Sequence, residues 1–235
     1  MVEIGLFEAI HSARAMRRLK PDPVPEALIA RVLDAAIRAP SAGNAQNWAF
    51  VVVRDAAQRQ ALGEIYRKGS RIAEAMYAAR GQPAHLTERQ FQRMMTAGAW
   101  LWEHIGEAPV ILLPCQHRPA MPAAETLPPL VRYDDEVAYV ARIRGSSIFP
   151  AVQNIILACR GLGLGTTITT NHLRCEDEVR ALLGLPDDVD TFAMMPIGWP
   201  MDAFGPVSRK PLAAVVHCDR WGNAWDAEPI DTKAD

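Results

Sequence analysis

Apolar positions along this chain alternate between helical and strand spacing, with proline and glycine marking the changes. Between Pro25 and Pro40, residues Leu28, Ile29, Val32, Leu33, Ala36 and Ile37 recur as on one face of an amphipathic helix, and Pro40 ends it. A loop of small and polar residues, Ser41 to Asn47, leads into Phe50-Val51-Val52-Val53, which reads as a buried strand. Ala56 to about Gly81 and Leu86 to Ile105 have helix-forming composition. Val110 to Leu113, between Pro109 and Pro114, predicts a second strand, and the proline-rich stretch Gln116 to Leu130 a surface loop.

The second half repeats the scheme. Ser147 to Leu162 predicts a long apolar helix, stopped by Gly161, Gly163 and Gly165. Thr166 to Thr170 has strand chemistry, which would put Thr167 and Thr169 on one face and Thr166, Ile168 and Thr170 on the other. Glu176 to Leu183 predicts a short helix, and Thr191 to Ile197 and Leu212 to Val216 two more strands, about five in all. Strands interleaved with helices place the fold among the α/β or α+β classes. The tail after Trp221 is polar and aperiodic, compatible with disorder or with wrapping a partner.

Length and charge narrow the function. A chain of 235 residues, 49% hydrophobic and 22% charged, suits a single domain spanning residues 1–235. No run is long and apolar enough to span a bilayer and no secretion signal opens the chain, so neither a membrane nor export is expected. Cys115, Cys159, Cys175 and Cys218 form no C-x-x-C pair, which points to reduced thiols and a cytoplasmic location. A net charge of -2 with scattered cations gives nucleic acid no general attraction. His11, His104, His172 and His217 lack metal spacing, so no metal site is expected and the four read as structural.

No phosphate-binding glycine fingerprint, zinc-protease motif or nucleophile elbow is present, which leaves chemistry carried by a cofactor. Arg14, Arg17, Arg18 and Lys20 concentrate positive charge, and guanidinium forks bind phosphate bidentately; a solvated basic stretch is the competing reading. The small loop Pro40, Ser41, Ala42, Gly43 and Asn44 would allow backbone and side chains to approach a flat polar ring, or would serve only as a connection.

Taken together and in order, Arg14 to Pro25 followed by Ala39 to Trp48 resembles the N-terminal signature of the nitroreductase family of flavin mononucleotide (FMN) flavoproteins. Gly161 to Thr167 resembles its late glycine turn, and Pro196 to Pro200 with Arg209 to Leu212 its C-terminal signature. The resemblance implies an α+β sandwich: a central, mostly antiparallel sheet of about five strands flanked by helices, in a homodimer with FMN at the interface. Arg14 and Arg209 would hold the phosphate, Arg17 would lie near flavin N1 and O2, and Pro40, Ser41, Ala42 and Asn44 would reach the flavin from the partner subunit. Ile168, Thr169 and Thr170 would lie beside the ring, with Thr170 placed to hydrogen-bond N5. Ala13 and Ala15 stand where the family often has arginine and serine, which makes Arg18 or a backbone amide a substitute ligand, and Asn47 stands where proline is usual.

The activity so implied is reduction of nitroaromatics, quinones or related electron-poor small molecules with NADPH or NADH, by a ping-pong cycle. Alternatives are a specialised branch, with reductive dehalogenation or oxygen-dependent flavin chemistry, and a non-catalytic flavin-binding protein. A structural module whose arginines are only surface charge is a further class. Substrate choice would reside in a variable lid around residues 66–146, with Tyr77, Trp100, Trp102, Tyr133 and Tyr139 as its candidate aromatics, and the run Asp134-Asp135-Glu136 as a solvated face.

Overall fold

The computed structural model describes residues 4–225; most of the polar tail considered above lies outside them. The elements are α1 (Leu6–Ser12), α2 (Glu26–Ala36), β1 (Trp48–Val53), α3 (Ala56–Arg80), α4 (Glu88–His104), β2 (Val110–His117), α5 (Tyr133–Ile143), α6 (Ile148–Gly161), β3 (Gly165–Thr166), α7 (Glu176–Leu183), β4 (Val189–Thr191) and β5 (Met195–Gly198). Short 3-10 turns occur at Ala42–Asn44, Asn171–Cys175 and Leu212–Ala214, among others.

The five strands form one sheet in the order β1-β2-β5-β3, with β4 also paired to β2, and every pairing is antiparallel. Helices cover both faces. Val110 and Leu112 of β2 join a core with Ile29, Val32, Ile155 and Met195 under α2 and α6, whereas Ile111 and Leu113 join one with Leu62, Tyr66 and Leu101 under α3 and α4. Burial on both faces is why β2 reads as an unbroken apolar run instead of an alternating one. This is the α+β arrangement with an antiparallel sheet expected from the sequence.

Helix ends follow local chemistry. The Asp55 side chain accepts the Gln58 N–H at 2.9 Å to start α3, and Gly81, at φ 70°, ends it. Thr87 and Gln90 form a reciprocal capping box at α4.

Five expectations need correction. β2 does not stop before Pro114 but runs to His117. In a strand a residue's N and C=O point the same way. The Pro114 carbonyl accepts the Phe192 N–H at 3.0 Å, so the missing N–H faces the gap between β4 and β5, where no ladder bond is required. That same gap splits the single strand expected over Thr191 to Ile197. Leu212 to Val216 is not a strand: its residues are largely exposed, and a 3-10 turn follows Pro211. The threonine strand ends after Thr166 and touches the sheet again only where Thr169 bridges Met194, so its side chains do not alternate between two faces. Helices α1 and α5 arise where none was expected, which puts Arg14 to Lys20 after the first helix and not before it.

Candidate functional site

The segment carrying the arginines is held like an extra strand at the sheet edge. The Met16 N–H donates to the Thr166 carbonyl at 2.9 Å, the Lys20 N–H to Trp199 at 2.8 Å, and Leu19 bridges Pro200. Met16 and Leu19 are buried, packed so closely on Gly165 that a Cβ there would lie 2.9 Å from Met16 Cβ and 2.8 Å from Leu19 Cδ2. Anchoring two apolar side chains inward sends the intervening arginines to different places.

Arg14 lines a cavity of about 350 Å³ with Arg209, His11, Gln153, Thr166 and Thr167. Arg209 arrives there because the Val207 N–H donates to the His11 carbonyl at 2.9 Å, tying the C-terminal segment to α1. The Thr166 side chain is 5% exposed and its hydroxyl has no partner among the described residues. Arg17 lines a second cavity, about 240 Å³, walled by Tyr66, Tyr77, Met95, Leu101, Trp102 and the run Thr167 to Asn171. Thr167 and Ile168 line both. Arg18 enters neither: its guanidinium lies over Trp100, 5.6 Å from the ring centroid, and Trp100 stacks on His104 at 4.3 Å. Among the described residues none of Arg14, Arg17, Arg18 and Arg209 is paired with a carboxylate.

Beneath Arg17 is a polar cluster absent from the sequence reading. The Tyr66 hydroxyl lies 2.7 Å from Thr169 Oγ1, and Asn171 Nδ2 donates to Ser70 Oγ at 3.1 Å. Burial raises the Tyr66 phenol above its ordinary value, opposed by its hydrogen bonds to Thr169, Ser70 and Asn171 and by the Arg17 charge. His172 anchors the turn that follows. Thr191 donates its hydroxyl to Glu176 at 2.8 Å and so can only accept from His172 Nε2, 3.2 Å away, leaving Nδ1 bare and without a partner. Burial pushes this imidazole down to about 4.

The loop Pro40 to Asn44 lines neither of these two cavities; its Ala42 lines a different one, of about 230 Å³, with Arg118 and Arg144. Ser41 Oγ accepts the Gln46 N–H at 3.0 Å and Ser147 Oγ the Ala42 N–H at 3.1 Å, while Gly43, Asn44 and Gln46 all take positive φ. Pro40, Ala42 and Asn44 are exposed. Of the candidate lid aromatics, Tyr77 and Trp102 line the Arg17 cavity; Tyr133 and Tyr139 belong to α5, are exposed and line neither cavity.

One arginine pair thus sits at one end of a cleft, a third arginine at the other, and a strip of small and hydroxylated residues between them. Arginines without carboxylate partners among the described residues, and a buried hydroxyl without a partner among them, fit an elongated ligand with an anionic end. The model described as the nitroreductase family matches residues 10–199. A curated NADH dehydrogenase of Thermus thermophilus is 31% identical over 204 residues, 86% of this chain and 90% of that protein. Iodotyrosine deiodinase 1 of Rattus norvegicus is 28% identical over 83% of this chain, which spans 61% of that protein. Among solved structures, iodotyrosine deiodinase bound to FMN and 3-iodo-L-tyrosine superposes with a TM-score of 0.65 at 21% identity, over 88% of this chain and 96% of that one, a likeness of fold.

Proposed function

The chain belongs to the nitroreductase family, and from that membership we propose that it is an FMN-dependent oxidoreductase that takes electrons from NADPH or NADH and delivers them to a small electron-poor organic acceptor. The observation that carries the reading is the division of arginines free of carboxylate partners, among the described residues, between two cavities that share Thr167 and Ile168 in their walls. Arg14 and Arg209 would hold the phosphate. Arg17 would face the ring edge, where a fixed cation in a partly desolvated site favours negative charge. When bound, FMN would supply hydride acceptance and donation, chemistry no side chain here provides. Thr169 and Thr170 would present hydroxyls to the ring, and Tyr66 fixes the Thr169 hydroxyl from below. The aromatic and thioether wall of Tyr77, Met95 and Trp102 would exclude water and suit a flat acceptor; no carboxylate lines it.

Two observations support a homodimer. Pro40, Ala42 and Asn44 are exposed and line neither the Arg14 cavity nor the Arg17 cavity of their own chain, as expected if the loop serves the partner's flavin. Helix α1 leaves Leu6 and Phe7 63% and 62% exposed, and Phe149 of α6 is also exposed, an apolar face suited to burial against a second copy.

The test is the visible spectrum of the purified protein before and after anaerobic addition of NADPH or NADH. A flavin band that bleaches supports cofactor and electron donor together. A band that persists with both donors refutes the proposed donor and favours a specialised branch or a flavin-binding protein, and a colourless chain unable to take up FMN refutes the reading.

A further inference from the structure

The phosphate end of the cleft contains one group with no assigned role. His11, in the last turn of α1, lines the same cavity as Arg14 and Arg209. The nearby positions 13 and 15 are alanines, which line that cavity without offering a side-chain donor, and Arg18 is engaged with Trp100. The remaining polar side chains there, Gln153, Thr166 and Thr167, are uncharged.

Resting on the flavin reading above, we propose that His11 is the third phosphate-binding group of this site, and that it makes retention of the phosphorylated flavin depend on protonation. Histidine near neutral pH is the side chain able to add or remove a full charge. Arg14 and Arg209 line the same cavity, so an anion held there meets two fixed cations beside the imidazole. Glu8, one turn earlier on α1, is paired with Arg160 of α6 at 3.1 Å, so that carboxylate is already engaged by another element. A phosphate dianion placed among the three favours the protonated imidazole. Binding and protonation are therefore linked, and the linkage is reciprocal: binding of the phosphorylated ligand is accompanied by proton uptake at His11.

The experiment is a fluorescence titration of the flavin-stripped full chain with FMN, and with riboflavin as the phosphate-free control, between pH 5.5 and about 8.5, where histidine charge changes. The wild type is compared with His11→Gln and His11→Arg. The phosphate's own second ionisation near pH 6 cancels when the variants are compared as ratios at each pH. At the acid end the wild type should bind FMN about tenfold or more tightly than His11→Gln, the worth of a charge-assisted hydrogen bond. That ratio should fall toward one as pH rises, because protonation favours the complex and is lost above the histidine's value in the complex. His11→Arg should keep tight binding at high pH, and riboflavin should show no dependence on residue 11. A ratio that stays constant across pH, or a His11→Gln variant that binds as the wild type does throughout, overturns the assignment while leaving FMN binding intact. A chain that takes up no flavin at any pH overturns the flavin reading and this assignment with it.

Discussion

Gly69 sits where α3 crosses the turn Asn171–Cys175, and a Cβ there would overlap the Asn171 carbonyl oxygen, with Arg174 Cβ 3.6 Å away. Gly69→Ala sets two effects against each other. Alanine in a helix interior gains about 1 kcal/mol over glycine. Against this, the overlap is with backbone, which cannot rotate away, and overpacking of a tight contact costs about 1–3 kcal/mol. Displacing the turn also strains the Asn171–Ser70 and Tyr66–Thr169 bonds, each worth about 1 kcal/mol. The losses outweigh the gain, for a net destabilisation of roughly 1–4 kcal/mol, or a fall in Tm of about 2–16 °C for a chain of this size. Gly161→Ala is the control: nothing lies within 4 Å of its Cβ, and it should raise stability by about 0.5–1 kcal/mol. Thermal melts followed by circular dichroism, at one fixed flavin and protein concentration, measure both. A Gly69→Ala protein melting at or above the wild type would refute the contact argument.

Three further outcomes are expected. With His172 held down to about 4 by burial and an unfolded value near 6.5, the unfolded chain binds a proton between those values that the folded chain refuses. That contribution to stability is intact above about pH 6.5 and is lost as pH falls toward 4, on the order of 3 kcal/mol in all; His172→Gln should flatten that part of the pH–stability curve, and an unchanged acid slope contradicts it. Tyr66→Phe should cost about 1 kcal/mol in urea unfolding by removing the bond to Thr169, which sits in a cavity water can enter; a loss above about 3 kcal/mol would mean the hydroxyl does more than the structure assigns to it. Arg17→Ala should weaken FMN binding roughly tenfold to hundredfold, from the ~1.5–3 kcal/mol of a charge-assisted bond, and lower the flavin potential; unchanged affinity and potential in a spectroelectrochemical titration would remove its role.

Much of the fold was legible because it is locally encoded. Proline and glycine marked most element ends, and the segments α2, α3, α4, α6 and α7 followed periodicity and caps. What failed depended on distant neighbours. Strand chemistry at Thr167 to Thr170 met a single bridge, Thr169 to Met194, since β5 begins only at Met195, and among the described residues Leu212 to Val216 pair with no strand. Pro114 looked like a strand end because the interruption that tolerates it lies about 80 residues further on, between β4 and β5. Tyr66 and Ser70 have the spacing of an ordinary buried helix face, and nothing local reveals that Thr169 and Asn171 meet them.

The cation cluster shows the same limit from the other direction. Local density suggested one anionic site for Arg14, Arg17 and Arg18, yet Met16 and Leu19 are the inward anchors of that segment, and the arginines around them diverge to one cavity, a second cavity and an indole ring. Charge density along a sequence therefore measured how many cations were available, while the buried pair decided where each went. The partner that completes the Arg14 cavity, Arg209, lies far along the chain and is brought there by the Val207–His11 backbone bond. His11 reads as structural in the sequence for the same reason: only the unanticipated helix Leu6–Ser12 brings it to the cavity of Arg14 and Arg209. A ligand that answers this distribution has separated ends, one anionic and one flat, and that separation is what favours a nucleotide-like flavin over a simple anion.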